Sequence, residues 1–263
     1  MNLLLLLLFI ACAQCCPYFV TSHRGAHTGE LQAPENSIHA FLEAVRLGTH
    51  KVELDIMRTS DGVYVIHHDS TLDRTTNCSG QLSQATFSYL LQNCILDDNR
   101  LWLGELQRIP TLQECVDLAS NNSVQLYLDI KGGDLKEILD IINSRDWISQ
   151  SWVFGGPAAA REYYPEINLL PTSSSVEQTM ALLSQFDPPP QGFELPNQMQ
   201  IDEENIALIH SVGSLVFQDV LGGRDVQPGW LDVMEKGVDC IQTDYPQRLI
   251  PFIGEYCNNA VPA

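Results

Sequence analysis

The stretch Val124-Gln-Leu-Tyr-Leu-Asp-Ile130, followed through Lys131-Gly-Gly by Asp134-Leu-Lys-Glu-Ile-Leu-Asp-Ile-Ile142, decides the architecture. Its first seven residues read as a short, largely apolar strand with one charged residue, Asp129, near its end. Asp134 then caps a helix whose apolar stripe is Leu135, Ile138, Leu139 and Ile142. A strand running directly into an amphipathic helix is one β-α unit, and such units build parallel sheets.

The same unit recurs on both sides. Tyr18 to Ser22 is a strand, and Ile38, Phe41, Leu42 and Val45 share one face of the helix after it, with Pro34 before and Gly48 behind. Val52 to Ile56 is the next strand. Val63 to His67 follows through an Asp61-Gly62 turn, and Thr111-Leu-Gln-Glu114 is a capping box. Further on, Trp152–Phe154, Ile167–Leu170, Gly192–Leu195, Ser214–Phe217 and Val238–Thr243 read as strands, with helical patterns between them. Repetition on this scale, over roughly 240 residues, predicts a (β/α)8 barrel. Nine strand-like runs are one more than such a barrel uses, and the pattern does not say which is not a stave. From about Asp73 to Pro110 the periodicity breaks, as expected of an inserted lobe over the top of the barrel.

The amino terminus reads as targeting. Leu3 to Ile10 is an unbroken apolar run followed by Ala11-Cys12-Ala13, a secretory core with a small-x-small cleavage pattern. Residues 1–16 are therefore expected to be a signal peptide, and 17–263 the barrel domain with its insertion. Secretion is the expected destination; Cys12 after Ala11 also fits a loose lipoprotein box, so a periplasmic or lipid-anchored bacterial protein is the variant reading. No later run is long and apolar enough for a membrane helix.

The 263 residues carry 33 acidic against 14 basic side chains, a net charge of −19. That balance argues against nucleic acid and against docking on anionic membranes, both of which need cationic surface. A small phosphate ester remains possible, since one site can hold its own cations. Nothing in the pattern specifies an oligomeric state. Of eight cysteines, Cys78 and Cys94 flank a polar insertion and are the expected disulfide. Cys240 lies in an apolar run and reads as a buried hydrophobe. Asn77-Cys78-Ser79 and Asn121-Asn122-Ser123 are glycosylation sequons, meaningful only in a eukaryotic secretory pathway.

Polar residues break the apolar pattern at strand ends, where barrel active sites lie. The first strand ends in Ser22-His23-Arg24-Gly25 and the third in His67-His68-Asp69. Glu53 and Asp55 are i and i+2 and share a strand face, as do Asp129 and Lys131. Three carboxylates in one mouth are costly to desolvate, so a hard divalent cation, Mg²⁺, Ca²⁺ or Mn²⁺ rather than zinc, is the natural resident. Arg24 and Lys131 add the fixed positive charge a phosphate needs. Two histidines on different strands suit general acid and base work near neutral pH.

These residues carry a resemblance. His23-Arg24-Gly25, Pro34-Glu35-Asn36, Glu53-x-Asp55, Thr59-x-Asp61-Gly62, His68-Asp69, Arg74-Thr75-Thr76 and Gly80 resemble the glycerophosphodiester phosphodiesterase family in order and spacing. Pro110-Thr111-Leu112-x-Glu114, Leu128-Asp129-Ile130-Lys131 and Gly237-Val238-Asp239 with Thr243-Asp244-Tyr245-Pro246 extend the match over most of the chain beyond the leader. The resemblance implies a (β/α)8 TIM barrel with a small insertion after the His-Asp strand, and a divalent metal, Ca²⁺ or Mg²⁺. It implies that His23 and His68 are the acid-base pair and that Arg24 and Lys131 bind the phosphate. Glu53, Asp55 and Asp129 then hold the metal, with His68 close enough to count among its ligands. The implied reaction is hydrolysis of a glycerophosphodiester to glycerol phosphate and an alcohol, through a cyclic phosphate. Two positions depart from the family pattern. Asp129 stands where the family usually has Glu, one methylene shorter. Phe217-Gln218-Asp219-Val220 replaces the family's Trp-Thr-Val-Asn stretch, which shapes the glycerol and headgroup pocket.

Other polar residues have plainer readings. His67 points to the opposite face from His68 and reads as structural; His27, His39 and His50 read as loop or helix-surface residues. Glu35 and Asn36 either support the site or form the turn and cap before the first helix. Asp219 either reaches the site or points away. Asp244 reads as a turn residue, and Arg74-Thr75-Thr76 as the anchor of the insertion. Two other functions stay open. One is a phospholipase-D-like enzyme acting on lysophospholipid or sphingolipid, with an apolar mouth supplied by Leu90, Leu91, Ile95, Leu96, Leu101 and Trp102. The other is a catalytically silent secreted barrel, which predicts losses among the histidines and carboxylates that the sequence does not show.

Overall fold

The structure is a computed structural model that describes residues 17–28, 33–96, 101–102, 105–196 and 202–260. The leader read at 1–16 lies outside the described residues. The strands are β1 (Phe19–Ser22), β2 (Lys51–Arg58), β3 (Tyr64–Ile66), β4 (Leu101–Trp102), β5 (Glu105–Leu106), β6 (Gln125–Ile130), β7 (Ser151–Phe154), β8 (Asn168–Leu170), β9 (Gly192–Leu195), β10 (Leu215–Asp219) and β11 (Cys240–Thr243). The helices are α1 (Ile38–Leu47), α2 (Phe87–Asn93), α3 (Leu112–Asn122), α4 (Leu135–Asn143), α5 (Ala159–Tyr163), α6 (Val176–Leu183), α7 (Glu203–Ser211), α8 (Gln227–Glu235) and α9 (Pro246–Ala260).

Eight strands pair in parallel in the order β8-β7-β6-β2-β1-β11-β10-β9. The ring closes just past β8, where Thr172 bridges Glu194 and the Ser173 amide donates to the Glu194 carbonyl at 2.9 Å. This is the expected (β/α)8 barrel. The ninth strand-like run is β3, which pairs antiparallel with β2, Ile56 opposite Ile66, and is not a stave.

Local chemistry sets the helix ends. The Ser37 side chain caps α1 by accepting from the Ala40 amide at 3.0 Å, and Gly48 closes it at φ 81. Thr111 and Glu114 form the capping box of α3, and the Asp134 side chain accepts from the Glu137 amide to start α4. The apolar stripe of α4 does what its spacing predicts: Ile138, Leu139 and Ile142 are fully buried, each contributing about 1.5–3 kcal/mol of hydrophobic stabilisation. They join Phe41, Val52, Leu54, Val116 and Leu126 in one core between helices and sheet. A second core, with Phe193, Ile209, Val216, Trp230 and Ile241, lies under α7, α8 and α9.

Inside the barrel Tyr127, Trp152, Leu170, Phe217 and Cys240 form an apolar floor. Lys51 is buried at this level, its ammonium 4.8 Å from the Phe19 ring and 5.0 Å from both the Trp152 and Phe217 rings. The rings offset part of the cost of burying that charge.

The stretch 73–110 carries α2, the β4-β5 hairpin and a core of its own. Leu72, Leu82, Leu90, Leu96 and Ile109 pack there with Val65, stapled by a Cys78–Cys94 disulfide whose Cα atoms are 5.4 Å apart. Leu90 and Leu96, two of the residues considered for an apolar mouth, are therefore spent on that core, while Leu91 is exposed. The side chains of Leu101 and Trp102 lie outside the described residues. Cys257 is also disulfide-bonded; Cys115 and Cys240 are buried free thiols. Among the described residues no helix is long and apolar enough to cross a membrane.

Candidate active site

Strand register builds the site. Asp55 on β2 lies beside Asp129 on β6, and both face the barrel lumen with Glu53 two residues earlier. Ligand oxygens of Glu53, Asp55 and Asp129 all lie within 4.8 Å of one another. The Lys131 amide extends the ladder to the Ile56 carbonyl at 2.9 Å and brings its ammonium 2.5 Å from Asp129 Oδ2 and 3.4 Å from Asp55 Oδ1. On β1 the ladder runs one step past the strand, His23 amide to Thr243 carbonyl at 3.0 Å, which sets His23 beside Asp244.

The chain then turns sharply, with Arg24 at φ 52 and Gly25 at φ 76. A Cβ at Gly25 would lie 2.7 Å from the backbone of Ala40, so glycine lets this turn rest directly on α1. The turn aims the Arg24 amide at Glu53 Oε2, 2.7 Å away, and the guanidinium at Asp55, 3.3 Å away. His68 follows β3, whose hairpin pairing returns it to the mouth; the His67 amide donates to the Asp55 carbonyl at 2.9 Å.

All seven residues expected at the site, His23, Arg24, Glu53, Asp55, His68, Asp129 and Lys131, line one cavity of about 270 Å³. Tyr127, Phe154, Asp219, Leu221 and Gln242 complete its wall. Asp219 thus reaches the site. His67 does not: its Nδ1 meets the Asp69 carbonyl at 2.9 Å and its Nε2 the Thr75 hydroxyl at 2.9 Å.

A surrounding layer orients these groups. His23 Nδ1 lies 2.7 Å from Asp244 Oδ1, and His68 Nδ1 lies 2.6 Å from Asp69 Oδ1. Each histidine has one ring nitrogen held by a carboxylate, leaving the other for chemistry. Asn36 donates to Asp55 Oδ2 at 2.8 Å, and Glu35 pairs with Arg24 at 3.0 Å and with Arg74 at 2.7 Å, so both residues support the site. Arg74 also holds Asp69 at 2.7 Å and so ties the base of the insertion to the mouth. Asp244, a turn residue by sequence, and His27, a loop residue, also belong to this layer, His27 Nε2 lying 3.1 Å from the same Asp244 oxygen.

Electrostatics follow burial. Glu53 is buried, and desolvation with the charge of Asp55 beside it pushes its carboxyl well above the usual range. Asp219 is raised by burial, and so is Glu194 beside it, with Asp219 adding repulsion. Burial alone would raise Asp244, but the hydrogen bonds from His23 and His27 outweigh it and hold it low. Burial also disfavours the Lys131 charge, yet Asp129 and Asp55 lift it above the ordinary lysine value. The crowding of three carboxylates around two cations, with all-oxygen donors, fits a hard divalent ion held by Glu53, Asp55 and Asp129.

The chain matches the model of the glycerophosphoryl diester phosphodiesterase family over residues 23–187. Glycerophosphodiester phosphodiesterase 1 of Mus musculus is 42% identical over 113 residues, which are 42% of this chain and 33% of that protein. The matched stretch thus spans about a third of that relative's length. The Bacillus subtilis (strain 168) protein YhdW is 30% identical over 250 residues, 88% of this chain and 96% of its own. An Oleispira antarctica phosphodiesterase, solved in complex with the product sn-glycerol-3-phosphate, superposes with a TM-score of 0.73 at 24% identity and covers 90% of this chain and 96% of that one. The chain belongs to the glycerophosphoryl diester phosphodiesterase family.

Proposed function

We propose that this protein hydrolyses a glycerophosphodiester to glycerol phosphate and an alcohol, with His23 and His68 as the acid-base pair. The observation that carries the reading is the convergence of two carboxylate-held histidines, two cations and three carboxylates on one cavity. The name of the mouse relative and the product in the Oleispira structure support the substrate class.

Arg24 and Lys131 hold the phosphoryl oxygens. One histidine takes the proton of the neighbouring glycerol hydroxyl through its free ring nitrogen. That oxygen attacks phosphorus and forms a cyclic phosphate, while the other histidine protonates the departing alcohol oxygen. Water then opens the ring with the two roles reversed. Asp244 and Asp69 fix the ring orientations and stabilise each imidazolium as it forms. A divalent ion at Glu53, Asp55 and Asp129, Ca²⁺ or Mg²⁺, supplies charge stabilisation at the phosphoryl oxygens when bound.

The protein is further read as secreted, on its apolar leader and the Cys78–Cys94 disulfide, a bond favoured in oxidising compartments. The decisive experiment incubates purified protein with glycerophosphocholine and with lysophosphatidylcholine, each with Mg²⁺, Ca²⁺ or EDTA. Release of glycerol 3-phosphate from the small diester, abolished by EDTA, is expected. Choline released only from the lipid would replace this reading with the phospholipase-D-like one. No turnover of either at full metal occupancy would leave a silent barrel.

A further inference from the structure

One cluster at the mouth is unlike the acidic triad beside it. His23 and His27 are spaced H-x3-H across the left-handed turn at Arg24 and Gly25. That turn brings His23 Nδ1 to 2.7 Å and His27 Nε2 to 3.1 Å from the same atom, Asp244 Oδ1. All three donor atoms lie within 4.8 Å of one another. Their side chains are 15, 18 and 22% exposed, open enough for an ion to enter from solvent and covered enough to hold one set of rotamers. The Asp244 backbone is anchored from behind: its amide donates to Asp225 Oδ2 at 2.6 Å, and the Thr28 hydroxyl donates to its carbonyl.

Two imidazoles and one carboxylate are a borderline donor set. They suit Zn²⁺, which binds nitrogen at about 2.0–2.1 Å and oxygen at about 2.0–2.2 Å in a tetrahedron. Donors in such a tetrahedron stand roughly 3.3 Å apart; the two histidine–carboxylate separations are 2.7 and 3.1 Å, so they open only slightly to admit the ion. The triad of Glu53, Asp55 and Asp129 offers oxygen alone and suits Mg²⁺ or Ca²⁺. The two clusters therefore select different ions, and His23 links the second one to the cavity wall.

We infer that His23, His27 and Asp244 form a second metal site, selective for Zn²⁺, whose occupation inhibits the enzyme. Zinc here takes His23 Nδ1 and removes Asp244 as the partner of its imidazolium, so His23 no longer exchanges a proton with substrate. The inhibition rests on the acid-base role of His23 proposed above; the binding site does not.

The test compares wild type with His27→Gln, and with His27→Asn as a second variant, all saturated with Mg²⁺. Circular dichroism checks that the variants fold, and the zinc sensitivity of each protein is read relative to its own Mg²⁺-supported turnover. Co²⁺ serves as a spectroscopic stand-in for zinc, because tetrahedral nitrogen and oxygen ligation gives it intense visible absorption. Wild type is expected to bind one such Co²⁺ and the variants none. Zn²⁺ is expected to stop glycerophosphocholine hydrolysis by wild type, and the variants to need at least about tenfold more, as befits loss of a ligand. Equal Co²⁺ spectra in wild type and variants, or none in wild type, overturn the site. Equal zinc sensitivity overturns the inhibition and returns it to the acidic triad. If no form hydrolyses the diester, the catalytic reading fails, and the Co²⁺ spectra still decide the site.

Discussion

His23 Nδ1 and Asp244 Oδ1 stand 2.7 Å apart at the carboxyl ends of two neighbouring parallel strands, joined by one backbone hydrogen bond beyond the last paired residues. The carboxylate fixes which ring nitrogen faces the cavity. An amide in its place presents a donor as readily as an acceptor and loses the charge that stabilises imidazolium. Asp244→Asn should therefore lower kcat by about 10²–10⁴-fold, with KM little changed and the fold retained by circular dichroism. Steady-state kinetics decide it. A wild-type kcat would detach Asp244 from the chemistry.

The proposed metal site makes a separate prediction. Glu53, Asp55 and Asp129 come from two adjacent strands, and Asp129 is the most exposed of the three. Asp129→Ala leaves two carboxylates and frees Lys131 from its 2.5 Å partner. The Mg²⁺ or Ca²⁺ concentration giving half-maximal activity should rise at least about tenfold. Asp129→Glu, with its longer arm, should restore most of the affinity. A metal titration followed by activity and by thermal shift reads both, and an unchanged midpoint for Asp129→Ala removes it from the site.

The barrel was legible because each β-α unit announces itself by period: an apolar strand, a capped helix, a single apolar stripe. The extra strand is marked not by its period but by the length of the connection before it. Only the Asp61-Gly62 turn and its flanks separate β3 from β2, and parallel neighbours need a crossover of a dozen or more residues. Only a hairpin fits that gap. The seven residues at the mouth were legible because polar residues at strand ends have few other reasons to interrupt apolar runs. Asp244 and His27 were not, since their partnership depends on how β11 lies against β1, across more than 200 residues of chain. Lys51 stands just before the apolar run Val52–Ile56, and the three rings that surround it come from three other strands.

Acid should loosen the mouth through Glu35. Burial would raise its carboxyl, but hydrogen bonds from Arg74 and the charges of Arg24 and Arg74 hold it at about 2, against an ordinary value of 4.5. A depressed carboxyl contributes stability that is complete above 4.5 and is lost as pH falls from there through about 2. The shift corresponds to about 3 kcal/mol at most by linkage. Glu35→Gln should cost stability at pH 6 and much less at pH 2, so the variant's urea midpoint changes less between those values than wild type's. Parallel pH curves for the two proteins would mean the Arg24–Glu35–Arg74 bridge contributes nothing measurable.

The Cys78–Cys94 disulfide should stabilise the insertion more than the barrel. It joins residues 16 apart and is packed among Leu72, Leu82, Leu90 and Leu96, a core distinct from those under the helices. A cross-link over a loop of that size is worth about 3 kcal/mol. That is a large share of what so small a core supplies. Replacing both cysteines by serine should speed amide exchange through α2 and the flanking turns while the eight staves stay protected. Activity should fall as well, because Arg74 fastens the start of this lobe to Asp69, the partner of His68, and to Glu35. The loss should appear in kcat and recover in part at lower temperature, where the lobe refolds. Exchange that rises equally in the staves would mean that lobe and barrel unfold as one unit.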